Sequence, residues 1–377
     1  MKSVLPERKT LHPSNIEQRG LPADAAAEVR AAAREIRARL GRSATVAART
    51  LDDPAIIDEI DSRAKELPES VRETLRPPET AAGATVVRGL PLTDAELGPT
   101  PPDWRTAAAW SADPDRAAAS LELDLCLLLL ARSTGEPFGW HGQQDGRLVN
   151  NIVPASGHEH EQSGASSETL LSPHTEDAFH PGRAHLLMLC CLRNPDRVGT
   201  TVSSVRRVRL TQAQTALLSA PTLPILPDVS YGSGHETYSA PMVPTIWFNP
   251  DGEPTLRYDP AYTPLDAADP EFRSAYARLT GELERVCARA ALAPGELLLV
   301  DNDVAVHGRV PFTARYDGTD RWLKRVNIRL PQRYRRAEEA EENGFGQTIV
   351  LPFRTGAPTG HSSERDAAHD RGPVEHP

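Results

Sequence analysis

The sequence has little cysteine, four residues in 377, which excludes a disulfide-built scaffold. Cys190 and Cys191 are adjacent and unsuited to bridging one another, while Cys126 and Cys287 lie in apolar segments. All four are therefore expected to be buried, reduced thiols. Aromatic residues are also scarce, at 5%, so a core must be built from Leu, Val, Ile and Ala. No apolar run approaches the roughly 20 residues of a membrane helix; Leu125–Ala131, as long as any, has seven. Dense Lys/Arg runs are missing and the net charge is −10, which argues against nucleic acid or an anionic membrane as a partner. The N-terminus shows no apolar signal core, so a cytoplasmic protein is expected. There is no Walker-type loop, no G-x-G-x-x-G opening a helix, no C-x-x-C and no G-x-S-x-G, which removes the commonest nucleotide, redox and serine-hydrolase signatures.

What is abundant is proline, 34 residues, about twice the usual share and unfavourable to an all-helical bundle. Helices are predicted over Ala25–Leu40, closed by Gly41 as a C-cap, over Ala55–Leu67 and over Ala117–Arg132. Residues 1–20 are expected to be loosely ordered. Beyond residue 137 short β-like runs take over: Leu148–Val153, Ala184–Leu192, Thr200–Val205, Thr245–Phe248, Leu297–Val300 and Val326–Leu330. An earlier one is Ala84–Val87. Many short strands with turn signals suggest a sandwich, jelly roll or barrel. One helix interrupts them, its face marked by Phe272, Tyr276, Leu279, Leu283 and Val286 at helical spacing. Ser219–Pro244 carries five prolines without periodicity and is a candidate lid. The tail from residue 354 is nearly devoid of large apolar side chains and is expected to be disordered.

The sharpest chemical signal is Pro173-His174-Thr175-Glu176-Asp177, with Val306-His307-Gly308-Arg309 far downstream. Residues two apart on a strand point to one face, so His174 and Glu176 can grip one ion and His307 can complete a facial triad. Two imidazoles and a carboxylate leave three coordination positions open, which suits Fe(II) binding a co-substrate and O₂ together. An isolated His-x-Glu is most often a pair of surface residues, and His158 and His160 are read that way. The neighbourhood distinguishes His174 and His307. In the strand after the DGTD turn, Arg321 and Arg325 share a face and could hold carboxylates bidentately; each alone could equally be an edge-strand surface charge.

The blocks HTEDAFHP, LRNPDRVGTT, LLLVDNDVAVHGRVPF and RYDGTDRWLKR, in this order, resemble the clavaminate-synthase-like Fe(II)/2-oxoglutarate-dependent oxygenases. The resemblance is greatest to the hydroxylases of free L-arginine and related amino acids in peptide-antibiotic biosynthesis. It covers about residues 120–335 and implies a mainly β fold with added helices, with a double-stranded β-helix (jelly roll) core. The chain as a whole is expected to divide into an N-terminal helical region packing on the core, 1–115, an oxygenase core, 116–353, with lid 219–244, and a disordered tail, 354–377. It makes His174, Glu176 and His307 the iron ligands and pairs Arg321 and Thr201 with the distal carboxylate of 2-oxoglutarate. Arg325 would bind the α-carboxylate of the substrate, Glu176 would also accept from its ammonium, and Gln143 or Gln144 would lie near its backbone.

Asp259 falls where arginine hydroxylases set a carboxylate against the guanidinium, but Ala261 stands where the family pattern has a second acid. Asp259 is thus either a substrate contact or a turn residue before Pro260, and lysine, citrulline, ornithine or an amide side chain stays open beside arginine. Glu176 fills the position that halogenating relatives leave vacant, so hydroxylation at C3 or C4 is expected, with Fe(II), 2-oxoglutarate and O₂ as the cofactor set. The alternatives are a substrate tethered to a carrier protein and, from another class, an inactive metal-binding protein on the same fold. The oligomeric state is left open.

Overall fold

The longest β-like run of the sequence, Leu186–Arg193, is buried along its whole length because both of its faces are covered. In the computed structural model, which describes residues 16–40, 51–112, 117–232, 234–333 and 335–353, it is the centre of a mixed sheet. The described elements run β1 (Glu17–Gly20), α1 (Ala23–Leu40), α2 (Pro54–Glu66), α3 (Glu69–Leu75), β2 (Ala84–Arg88), α4 (Asp94–Leu97), α5 (Trp104–Ala112), α6 (Ala117–Thr134), β3 (Glu136–Trp140), β4 (Asn150–Ile152) and β5 (Leu171–His174). They continue as β6 (Leu186–Arg193), β7 (Thr200–Ser204), α7 (Gln212–Ser219), β8 (Ile246–Phe248), β9 (Pro254–Leu256), α8 (Pro270–Arg285), β10 (Ala288–Ala290), β11 (Leu297–Asp301), β12 (Ala305–Arg309), β13 (Trp322–Arg329) and β14 (Ile349–Val350). The large sheet has the order β1-β2-β11-β6-β13-β3-β14 with β4 also on β13, and the smaller one the order β10-β7-β12-β5; β8 and β9 form a separate hairpin.

Strand alternation sorts β6 between two cores. Leu186, Met188, Cys190 and Leu192 pack with Val29, Ile36, Ile60 and Leu127 of the helices α1, α2 and α6. Leu187, Leu189 and Cys191 pack with Val202, Val306 and, from α8, Phe272 and Leu279. Each such side chain contributes about 1.5–3 kcal/mol of transfer free energy, which explains why β6 reads as a continuous apolar run. The predicted stripe of α8 is buried at Phe272, Tyr276, Leu279 and Leu283, behind a start set by Asp269 and Pro270 at the first helical position.

β13 is sorted in the same way, with a polar twist. Its even face turns to α6, where fully buried Lys324 donates from Nζ to Asp124 Oδ1 at 2.5 Å, and Arg147 Nη2 donates to the other carboxylate oxygen at 3.0 Å. Removing one partner of such a group leaves a buried charge and costs about 3–5 kcal/mol, so the register of β13 against α6 is firmly held. The odd face, with Leu323 and Arg325, is left for the cavity between the sheets.

Several expectations are corrected. Residues 17–20 form β1, parallel to β2, so the chain before residue 21 is not loose throughout, and β1 joins the strand expected at Ala84–Val87 in the large sheet. Cys126, Cys190 and Cys191 are buried free thiols, but Cys287 is exposed, since it follows α8 as the chain turns into the sheet-edge strand β10. α3, α5 and α7 were not anticipated, nor were β5 and β12; both of these strands are short and interrupted by polar residues. The predicted C-cap at Gly41 and the tail 354–377 lie outside the described residues. No helix among the described residues is long and apolar enough to cross a membrane.

Candidate active site

β5 and β12 pair antiparallel with His174 opposite His307, so one register sets both imidazoles on the same rung, with ring centroids 4.5 Å apart. Glu176 lies two residues beyond the end of β5. Its backbone is held by Asn302, whose side chain accepts from Glu176 N at 2.8 Å and donates to Glu176 O at 3.1 Å. The chain then turns sharply at Asp177, φ 53°, a left-handed conformation that Asp tolerates better than most residues. Glu176 Oε2 ends 3.2 Å from His307 Nε2 and 3.8 Å from His174 Nε2. Among the described residues these three form the group able to hold a metal ion, with one donor atom from each within 4.8 Å of the others.

The donors are prepared for a cation. His174 Nδ1 lies 2.8 Å from Ser172 O; donating there leaves the Nε2 lone pair aimed at the shared centre. Burial opposes ionisation of Glu176, but the Arg325 charge and the His307 contact hold its carboxyl well below the usual range. Burial, helped by His174, lowers His307 and favours the neutral imidazole that a metal requires. Two imidazole nitrogens and one carboxylate on one side of an open centre fit Fe(II).

A cavity of about 440 Å³ opens on these donors. Arg321 and Arg325 both line it, as the shared parity required. Arg325 donates to Glu176 Oε1 and to Gln143 Oε1, and at 3.0 Å to Asn150 Oδ1. Gln143 in turn donates from Nε2 to Ser230 Oγ at 2.9 Å. Gln144 also lines the cavity, but its amide is engaged by the backbone of Asn151, accepting from N and donating to O, each at 2.9 Å. Arg321 is buried and donates from Nη2 to Thr200 Oγ1 at 3.1 Å, and its Nε has no partner among the described residues.

Thr201 is not on the cavity face. β7 pairs with β12 so that Thr200 lies opposite Arg309, Thr201 opposite Gly308 and Val202 opposite His307. Cross-strand partners share a face, so Thr200 sides with His307 and Thr201 turns away, its hydroxyl buried without a partner among the described residues. Gly308 fits beneath it because a Cβ there would approach Leu171 O to 2.4 Å and Thr201 Oγ1 to 3.0 Å. Thr200, not Thr201, is therefore the residue of β7 that lines the cavity and accepts from Arg321; a period of two turns a one-residue offset into the opposite face.

Asp259 does not line the cavity. Its Oδ1 accepts from Ala261 N at 3.0 Å, the turn contact, although burial raises its carboxyl to about 6 and the charges of His174 and Asp228 both reach it. Asp228 lines the cavity, as do Glu176, Asp145 and Glu161, and it caps a short turn by accepting from Ser230 N at 2.7 Å. Burial raises its pKa. No sequence signal marked it, because it sits alone in the aperiodic segment 219–244. From the same segment, Tyr231 donates to Asp177 Oδ1, while Trp140 Nε1 at 2.7 Å and Asn327 Nδ2 at 3.1 Å serve Oδ2. Burial and the neighbouring Glu176 charge push Asp177 up to about 7. Through Ser230 and Tyr231 the segment is thus fastened on both sides of Glu176.

Residues 127–327 match the model of the taurine catabolism dioxygenase TauD, TfdA family. The chain is 37% identical over 289 residues to the enduracididine beta-hydroxylase of Streptomyces hygroscopicus, covering 70% of this chain and 82% of that protein. It is 34% identical over 265 residues to the L-ornithine/L-arginine 3-hydroxylase of Catenulispora acidiphila, covering 64% and 75%. The crystal structure of the non-heme iron oxygenase OrfP with Fe, succinate and (3S)-hydroxy-L-Arg superimposes with a TM-score of 0.69 at 35% identity, over 83% of this chain and 94% of that one.

Proposed function

Since the chain belongs to the taurine catabolism dioxygenase TauD, TfdA family, we propose that it hydroxylates a free L-amino acid with a cationic side chain, using Fe(II), 2-oxoglutarate and O₂. The overall change is R–H + O₂ + 2-oxoglutarate → R–OH + succinate + CO₂, in which the co-substrate supplies two electrons, the alcohol and the succinate keep one oxygen atom of O₂ each, and the CO₂ carries the carboxylate oxygens of 2-oxoglutarate. The observation that carries the reading is a His174–Glu176–His307 donor set in one cavity with Arg321, a buried cation that has no carboxylate partner among the described residues. We read the two sheets as the faces of a double-stranded β-helix, and residues 219–244 as a lid.

In this reading His174, Glu176 and His307 hold the iron, which with 2-oxoglutarate supplies the oxidising chemistry. Arg321, steadied by Thr200, receives the distal carboxylate of 2-oxoglutarate. Arg325, with Gln143 and Asn150 fixing its plane, receives the substrate α-carboxylate, which a carrier-tethered substrate would lack. Glu176 Oε1 accepts from the substrate ammonium as Arg325 turns from it to the incoming carboxylate. Asp228 faces the far end of the substrate as a counter-charge for an ammonium or guanidinium. With the backbone of an α-amino acid held at Glu176 and Arg325, the side-chain carbons next to it, C3 and then C4, come closest to the metal. Ser230 and Tyr231 close residues 228–231 over the site and keep water out.

The test is a mass-spectrometric screen of the purified protein with Fe(II), ascorbate, 2-oxoglutarate, O₂ and free arginine, lysine, ornithine, citrulline, asparagine or glutamine. A product heavier by one oxygen atom, formed with equimolar succinate from a basic amino acid, is the expected result. Oxidation of the amide amino acids alone would overturn the cationic side chain. Failure to turn over 2-oxoglutarate with any substrate, tethered ones included, would overturn the reaction.

A further inference from the structure

Buried arginines in this protein are paired with carboxylates almost throughout. Arg147 has Asp124, Arg183 has Glu339, Arg257 has Glu342 and Arg325 has Glu176. Arg309 and Arg321 break the pattern: both are buried, at 4% and 7% exposure, both line the site cavity, and neither has a carboxylate partner among the described residues. Thr200 links them, lying opposite Arg309 in the β7–β12 ladder and accepting from Arg321.

The acceptors around Arg309 are neutral. Nη1 donates to Ser166 O at 2.7 Å and Ser167 O at 3.4 Å, and Nη2 donates to Ser166 Oγ at 3.0 Å and Thr169 O at 3.1 Å. Phe312 lies against the guanidinium, 4.9 Å from Cζ to the ring centroid. These contacts fix its direction without cancelling its charge. Two uncompensated buried cations in one cavity are costly unless an anion arrives with the ligand.

We propose that Arg309 is a second cationic determinant of 2-oxoglutarate recognition, acting with Arg321 on the distal carboxylate so that the cavity selects dicarboxylic over monocarboxylic 2-oxo acids. The inference rests on the proposed function and assigns a role to the last residue of the VHGR motif. An anion near Arg309 and Arg321 feels two positive charges, whereas a 2-oxo acid without that carboxylate presents nothing to either.

The experiment is a calorimetric titration of the full-length, Mn(II)-substituted protein with 2-oxoglutarate and with 2-oxobutyrate, which lacks the distal carboxylate. Arg309→Gln is expected to weaken 2-oxoglutarate about tenfold or more while leaving 2-oxobutyrate within about twofold. Arg309→Lys keeps the charge but loses the fork across Ser166 and Thr169; it is expected to hold 2-oxoglutarate within about threefold of wild type. Unchanged 2-oxoglutarate binding in Arg309→Gln, equal weakening of both acids, or an Arg309→Lys as weak as Arg309→Gln each overturns the proposal. Should Arg309→Gln not fold, the preference for 2-oxoglutarate over 2-oxobutyrate in Arg309→Lys decides, retention supporting the proposal and loss overturning it. Arg321→Gln separates the two readings. If it alone loses 2-oxoglutarate, the oxygenase assignment stands and Arg309 has no part in it; if the wild type binds no 2-oxoglutarate, both fall.

Discussion

Arg325 grips the metal-binding carboxylate Glu176 with one nitrogen and the amide oxygen of Gln143 with another, and Asn150 receives a further bond at 3.0 Å. One guanidinium therefore spans the metal donors and the wall that carries Ser230. The guanidinium proposed to receive a substrate carboxylate also keeps Glu176 ionised beside the histidines.

Arg325→Lys should raise the KM for the amino acid by about 10–100-fold, the loss of one bidentate charged contact, with a smaller fall in kcat. Steady-state kinetics with the metal content measured in parallel checks this. A loss confined to metal content, with KM unchanged, would mean that Arg325 serves Glu176 alone.

Thr200 and Thr201 offer a comparison between adjacent residues of the same type. Thr200→Val should raise the 2-oxoglutarate requirement about 3–10-fold by freeing Arg321 from its neutral acceptor. Thr201→Val, on the other face, should leave it within about twofold, its hydroxyl having no described partner to lose. Succinate formation against 2-oxoglutarate concentration reads both, and the reverse order would refute the face assignment drawn from the ladder register.

The charge of Asp228 should decide side-chain preference. Asp228→Asn is expected to lower kcat/KM for the cationic substrate by about 10–100-fold and to narrow its advantage over citrulline or glutamine. Asp259→Asn should have a smaller effect, because that carboxylate is committed to Ala261 N. Competition assays with paired substrates give the ratios directly.

Acid sensitivity should come in part from two buried histidines outside the metal group. Burial holds His180 at about 4 and His185 at about 3, and in the neutral form each accepts a backbone N–H at Nδ1, from Gly182 at 2.8 Å and Leu330 at 3.0 Å. The unfolded chain takes up these protons near pH 6.5 and the folded protein does not. The stabilisation is therefore complete above pH 6.5 and is lost as pH falls towards 4 to 3, on the order of 3 kcal/mol for each residue. Melting temperatures at pH 7.5 and pH 5 should show wild type falling more steeply than His180→Gln or His185→Gln; parallel slopes would contradict this account.

Much of the site was legible because its logic is local. His174 and Glu176 are two residues apart on an extended chain, Arg321 and Arg325 are four apart, and a period of two settles which side chains share a face wherever the strand runs. The apolar run of β6 and the stripe of α8 announced their own burial in the same way. The strands β5 and β12 were hidden because a strand that carries a polar site loses the apolar pattern that reveals strands.

Residue type and spacing by themselves determined the donor set, the two arginines on one face and the order of the blocks that carry the family. Only the tertiary structure decided that Thr200 and not Thr201 accompanies Arg321, since that depends on the register of β7 against β12, a pairing between segments a hundred residues apart. Only the fold brought Asp228 from an aperiodic loop into the cavity, left Asp259 to its own turn, and put Arg309 and Arg321 in one cavity with no carboxylate partner to either among the described residues. Charge compensation is a property of the space around a group rather than of its neighbours in the chain, so which cations stay uncompensated is decided by packing.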